Sequence, residues 1–440
     1  MFRKEIKPTI GKALIMHTFK SYLILFFLQS LLLLGLQAQP GKTTLQASNI
    51  KTLLTAINGK YEVFPVLDMD KSDVLTLSFD DMTHEYTRYT YRIEHCDADG
   101  IPSDELFESD YVRTDADEEV ITDYEYSQNT TVLYTHYSLS IPNAHMRPLL
   151  PGNYRITVSR ENDEGDMEHV IKTYFGVVST KVGIYPSCST DTEIDHNESH
   201  QQISLRIDAS NLTLRDARSE LKLFVLQNRR WDNAVLNPSY TAQNGDNLIW
   251  EHTRQLTFPA GNEYRKMEIL STRYPGMHGD GIRWIDPFYH YTLQQDSPRK
   301  NYLYDEDQDG LYLTRYEGGG DASTLADYVV THFSLSMPRL DSGESIYVNG
   351  RWATTGLSNE YQMKYNEQTQ AYEANLLLKC GYYNYMYLCK DVPAKNGSAT
   401  AIVEGDYYQT ENEYDFLVYY KPVGSRYWQL VGYITPIYRK

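Results

Sequence analysis

Tyr347-Val-Asn-Gly-Arg-Trp352 and Leu376-Leu-Leu-Lys-Cys-Gly-Tyr-Tyr-Asn-Tyr-Met-Tyr-Leu388 lie in a segment, Asp327 to Tyr438, whose apolar residues alternate. Val329, Thr331, Phe333, Leu335 and Met337 share one face of a first strand, with Val330, His332, Ser334 and Ser336 opposite. Tyr372, Ala374, Leu376 and Leu378 make a second face, and Tyr383, Tyr385 and Tyr387 a third. Phe416, Val418 and Tyr420 make a fourth, and Val431 with Tyr433 a fifth. Period-two runs broken by Gly, Asn, Asp and Pro predict antiparallel strands with one wetted face. Five or more such runs in this length predict a sandwich with immunoglobulin-like layering.

Moving towards the N-terminus, Leu75, Leu77 and Phe79 alternate, then Tyr89, Tyr91 and Ile93. Leu133, Thr135, Tyr137, Leu139 and Ile141 follow, then Tyr154, Ile156 and Val158, and Val170 to Val178 closes the set. These predict another sandwich over 45–180, with an irregular polar insertion from Asp97 to Asp123. Tyr185-Pro-Ser187 and the polar run Thr190 to His200 read as a linker. A middle β domain is expected over 190–322, from Ile203, Leu205, Ile207 and Leu221, Leu223, Val225 through Asn262–Leu270 and His290–Gln294. Gly318-Gly-Gly320 marks its joint to a C-terminal sandwich over 323–440. No stretch carries a long helical period, so the predicted fold class is all-β, with tandem immunoglobulin-like sandwiches.

Composition narrows the function. Tyr numbers 39 against 13 Phe, which suits half-exposed sheet faces and broad contact surfaces. The net charge of −18, from 41 Lys+Arg and 59 Asp+Glu, leaves no basic surface for phosphate, so nucleic acid is not an expected partner. Tyr22 to Leu36 is apolar, preceded by Lys20 and followed by Gln37-Ala38-Gln39, which predicts a signal peptide over 1–38 and an exported chain. Met1 and Met16 are alternative starts. Cys96, Cys188, Cys380 and Cys389 form no dense framework. If Gly381 to Leu388 is one strand, Cys380 and Cys389 stand about 30 Å apart, beyond bonding reach.

Chemistry-bearing constellations are sparse. Asp305-Glu-Asp-Gln-Asp-Gly310 has the start of a calcium loop, making Asp305, Asp307 and Asp309 the candidate metal ligands. The twelfth position is Tyr316, so the bidentate carboxylate is missing and an acidic turn is the competing reading. Asp195-His196 with His200, and His95-Cys96-Asp97 with Asp99, contain ligand types without diagnostic spacing. No Gly-x-Ser-x-Gly, His-Glu-x-x-His or phosphate-cradling glycine loop occurs, so no catalytic residue, cofactor or small-molecule ligand is expected.

Two resemblances go further. The strand ending Asn349-Gly350, then Trp352 and the later Gly381 before an aromatic strand, resembles early-set immunoglobulin-like modules of starch- and glycogen-binding proteins. It implies a secreted carbohydrate-binding protein stacking sugars on Trp352 and the Tyr383/Tyr385/Tyr387 face; the competing reading makes these aromatics core and cross-strand pairs. Over most of the chain, an ordered set of phrases resembles the bacterial type IX secretion system plug protein family. They include Leu77-Ser-Phe-Asp-Asp81, Tyr89-Thr-Tyr-Arg-Ile-Glu-His-Cys-Asp-Ala-Asp99, Ser127-Gln-Asn-Thr130 and Gln227-Asn-Arg-Arg-Trp231. Gly261-Asn-Glu-Tyr-Arg265, Leu376-Leu-Leu-Lys379, Gly381-Tyr-Tyr-Asn-Tyr385 and Thr410-Glu-Asn-Glu-Tyr414 continue the order. Gly100 stands where the family leads one to expect Trp, and Cys380 where Gln is expected. The resemblance implies a non-enzymatic periplasmic plug that closes the periplasmic side of the outer-membrane translocon β-barrel. It would be peripheral to the outer membrane through that protein contact.

Overall fold

The computed structural model describes residues 43–45, 47–391 and 398–438, and the leader expected over 1–38 lies outside them. Strands hold 48% of the chain and helices 5%, so the all-β reading stands.

The N-terminal sandwich is built from β1 (Ile50–Ile57), β2 (Leu75–Asp81), β3 (Thr90–Cys96), β4 (Asp123–Tyr126), β5 (Thr135–Ile141), β6 (Gly152–Glu161) and β7 (Met167–Val178). One sheet runs β1-β2-β5-β4, and β3, β6 and β7 belong to the facing sheet. Alternation delivers Leu75, Leu77 and Phe79 from one sheet, and Tyr154, Ile156 and Val158 from the other, into one core. Leu133, expected at the head of the β5 face, is exposed because the strand begins only at Thr135.

The middle core begins with β8 (Gly183–Ser189), β9 (His200–Asp208), β10 (Leu221–Gln227), β11 (Arg230–Leu236) and β12 (Asn247–Trp250). Tyr185-Pro-Ser187, expected as linker, is instead strand: β8 pairs with β9 from Gly183↔Asp208 to Ser189↔Gln202. Its proline is tolerated because β8 is the edge of its sheet. The run from Thr190 closes this hairpin as a bonded loop, with the Asp195 carboxylate accepting from Ser199 N (3.1 Å) and Ser199 Oγ (2.7 Å).

The next strands are β13 (Arg265–Ile269), β14 (Gly279–Ile285), β15 (Phe288–Leu293) and β16 (Tyr312–Thr314). Sequence order assigns them to the middle block, but their pairing does not. They are followed by β17 (Tyr328–Ser336), β18 (Ser345–Asn349), β19 (Lys364–Asn366), β20 (Ala371–Lys379) and β21 (Gly381–Lys390). One sheet runs β14-β15-β17-β20-β19, and β21 pairs with β13, β16 and β18. β21 is ten residues long, and five-residue β18 cannot satisfy its backbone groups alone, so earlier strands complete it. Between the layers pack Val329, Phe333, Leu335, Trp352, Leu376, Tyr383, Tyr385 and Tyr387.

The last strands, β22 (Asn412–Tyr420) and β23 (Gln429–Ile434), leave that core. β22 pairs with β10 from Leu221↔Tyr420 to Gln227↔Tyr414, and β23 meets β7 in parallel at Val178↔Leu430. One sheet thus runs β11-β10-β22-β23-β7-β6-β3. Phe416, Val418 and Tyr420, expected in the C-terminal sandwich, therefore fill the middle core beside Leu205, Ile207 and Trp250. Val431 and Tyr433 do not share a face either. The pairing skips from Val418↔Gly432 to Tyr419↔Leu430, so Val431 is the extra residue of a bulge and faces the middle core. Tyr433 turns to a second cluster with Leu417, Tyr419 and Leu430.

Candidate functional site

The chemistry concentrates where the cores meet. Asp80, on the outer face of β2, and Lys379, at the end of β20, are both within 1% of full burial and lie 2.7 Å apart. The Lys379 ammonium also donates to Ser323 O (2.6 Å) and stands 4.2 Å from the centre of the Tyr134 ring. Tyr328 Oη donates to Asp80 at 2.6 Å, and His136 Nδ1 lies 2.7 Å from its other oxygen. Burial pushes the Asp80 carboxyl up, but Lys379 and His136 outweigh it and hold it below the usual carboxylate range. Backbone bonds reinforce the joint: Thr131 N and Val132 N donate to the Asp327 carboxylate, Tyr134 Oη to Ala326 O, and Tyr312 Oη to Leu53 O.

The middle core is fastened in the same way. Glu413 on β22 is clamped between Arg229, at 3.1 Å, and Arg351, which follows β18. Arg265 on β13 joins Asp296 (2.6 Å) to Glu404 (3.1 Å). Tyr385 Oη and Tyr387 Oη donate to the second Asp296 oxygen at 2.8 and 2.7 Å. These largely buried pairs join segments far apart in sequence, and removing one partner would leave a mostly buried charge unpaired. Asp80–Lys379 and Arg351–Glu413 thereby clasp one core of the described chain to another.

The candidate ligands do not converge. Asp305 pairs with Lys266. Asp307 turns inward and accepts from Tyr264 N and, at 2.7 Å, from Asp309 N. Burial raises the Asp307 carboxyl to about 7 and Asp309 to about 8, with the Asp307 charge adding to the latter and Arg351 opposing it. Glu263, bonded to Tyr302 Oη at 2.7 Å, is raised by burial to about 7. Among the described residues, no group of three or more His, Cys, Asp or Glu side chains is placed to hold a metal. His200 bonds Asp195 at 2.6 Å, whereas His196 pairs on the surface with Asp191. His95 bonds Ser103 Oγ at 2.8 Å, and burial pushes its ring down to about 4. All four cysteines are free, their thiols pushed up to about 12 by burial.

Trp352 and the Tyr383/Tyr385/Tyr387 face are buried, with the indole Nε1 donating to Asn384 O at 2.9 Å. They are core, so the sugar-stacking surface implied by the early-set resemblance is not on the outside of the molecule. The exposed apolar groups lie elsewhere. The insertion after Asp97 carries Ile101 and Phe107, the latter 75% exposed, and the acidic turn is preceded by exposed Leu303 and Tyr304. Among the described residues, no helix is long and apolar enough to cross a membrane. Sequence reasoning missed the clasps. Their one signal is a charge inside an apolar run, as in Leu376-Leu-Leu-Lys379, at a position that alternation assigns to solvent.

A family model described as "Type 9 secretion system plug protein 1st domain" matches residues 50–179. That range contains β1 to β7. The crystal structure of a hypothetical protein from Parabacteroides merdae ATCC 43184 is similar at 36% identity with a TM-score of 0.86. The match covers 91% of this chain and 100% of that one. No curated protein matches. With residues 50–179 matched to the plug model, the N-terminal sandwich is a first domain of the type IX secretion system plug protein family.

Proposed function

We propose that this protein is a non-enzymatic periplasmic plug that closes the periplasmic side of the type IX outer-membrane translocon barrel. It is held at the outer membrane by that protein contact. The observation that carries this reading is the family match over residues 50–179. The architecture suits the task. A stopper must resist deformation, and buried clasps such as Asp80–Lys379 and Arg229–Glu413–Arg351 tie the cores together. It must also release, which favours a wet contact rich in polar-tipped aromatics over a dry hydrophobic seal. The insertion from Asp97 to Asp123, tipped by Ile101 and Phe107, and the acidic turn from Asp305 to Gly310 are the proposed contact loops. Affinity purification of the translocon tests the proposal. The protein should copurify in the absence of cargo, and an intact translocon lacking it would refute the reading.

A further inference from the structure

The sheet β1-β2-β5-β4 ends in an open edge. β4 pairs with β5 through Asp123↔Ser138, Tyr124↔Tyr137, Glu125↔His136 and Tyr126↔Thr135, and among the described residues no strand pairs with its other side. The register continues to Ser127, whose N–H donates to Tyr134 O at 2.9 Å. In an antiparallel ladder, hydrogen-bonded and non-bonded pairs alternate. Glu125 and Asp123 therefore carry the bonds to β5, and Tyr124 and Tyr126 turn their N–H and C=O groups to the open edge. All four residues of β4 are exposed.

The side chains beside that edge form an aromatic ridge continuous with the core. Tyr124 stacks on buried Tyr137 at 5.8 Å and contacts Tyr86 at 4.9 Å and Tyr126 at 5.8 Å. Tyr86, Tyr124 and Tyr126 remain 49%, 37% and 42% exposed. Their rings meet at 44° and 85°, a corner rather than the flat platform on which a sugar ring would stack. Glu85, Asp123 and Glu125 are exposed as well, and alternation sets Asp123 and Glu125 on the face of β4 opposite to Tyr124 and Tyr126.

We propose that the open edge of β4 accepts an extended, Lys- or Arg-bearing segment of a partner protein as an added strand. Outward N–H and C=O groups supply the main-chain bonds of strand addition. The tyrosines supply apolar contact and faces for cations. The carboxylates choose the occupant. A second copy of β4 would set Asp123 and Glu125 against like charges, whereas a basic segment finds them complementary. The identity of the natural partner rests on the plug reading; the chemistry of the edge does not.

The test uses the full-length protein and fluorescent eight-residue probes, with affinity read by anisotropy. A (Lys-Val)4 peptide can add as a strand, while (Lys-Pro)4 carries the same charge but cannot complete a ladder. The expected result is at least tenfold tighter binding of (Lys-Val)4, with amide exchange slowed at Tyr124 and Tyr126. Asp123→Lys with Glu125→Lys, a surface pair, should weaken that binding at least tenfold, as should Tyr126→Pro. Equal binding of the two peptides, or unchanged affinity in the lysine double variant, overturns the proposal. So does chitooligosaccharide protecting Tyr124 and Tyr126 when (Lys-Val)4 does not. If peptide binding holds while copurification with the translocon fails, the plug reading falls and the edge stands; the converse result leaves the plug reading intact and removes the edge.

Discussion

Replacing Lys379 with Met keeps most of the apolar stem and deletes one charge. The ammonium donates to Asp80 at 2.7 Å and to Ser323 O at 2.6 Å, and neither Asp80 nor Lys379 has more than 1% of its side chain exposed. Met leaves Asp80 buried without its ammonium partner, with Tyr328 Oη and His136 Nδ1 as the remaining side-chain contacts. Removing one partner of such a pair costs about 3–5 kcal/mol. Loss of the cation over Tyr134, a contact of about 1–2 kcal/mol, is contained within that figure because both effects delete the same ammonium. Lys379→Met with Asp80→Asn should cost clearly less than Lys379→Met alone, since no charge is then stranded. The dependence on pH has a definite sign. The native Asp80 carboxyl is depressed from 3.8, so its stabilisation is present above that value and lost as pH falls through the lower folded value. The deficit of the single variant should therefore shrink in acid. Urea unfolding of the three proteins, with amide exchange followed in β2 and β20, measures this. A single variant within about 1 kcal/mol of the parent, below the buried-pair range, or a double variant no better than the single one, would refute the clasp.

Asp309→Asn tests the acidic turn. Its folded carboxyl is raised from 3.8 to about 8, so the folded state keeps a proton that the unfolded chain releases, and stability falls as pH rises across that window. The parent should lose about 1–2 kcal/mol more than the variant between pH 5 and 8, a value reduced for partial exposure; parallel urea midpoints across that range would contradict it. Gly381→Ala places a Cβ 2.4 Å from Leu313 O, a backbone atom that cannot step aside. The pairing of β16 with β21 should loosen at a cost of about 2 kcal/mol or more, seen as faster amide exchange at Leu313 and Thr314. Trp352→Ala should destabilise by about 3–5 kcal/mol in urea unfolding, the cost of emptying a core position.

The alternation of Val329 to Leu335 and of Leu75 to Phe79 was legible because period two is a local property. Whichever sheet such a strand joins, its apolar face must be covered, and these residues are buried. The tyrosine excess was legible as β-sheet composition, and of the short phrases that resemble the plug family, those from Leu77 to Thr130 lie inside the range that the plug model matches. Partnership between strands was not. β13 to β16 lie before Gly318-Gly-Gly320, yet they pair with or beside β21 and β17, because backbone pairing demand is satisfied by proximity in space rather than in sequence. β22 and β23 return to the middle core for the same reason, and one extra residue, Val431, reverses which side follows it. The clasps were hidden by the rule that revealed the strands. Asp80 and Lys379 occupy positions that alternation assigns to water, and only the approach of the other core covers them and turns two charges into a joint. The sequence by itself determined which residues lie in strands and which side of each strand seeks cover. The tertiary structure decided what supplies that cover, because burial of the second face depends on a neighbour encoded hundreds of residues away.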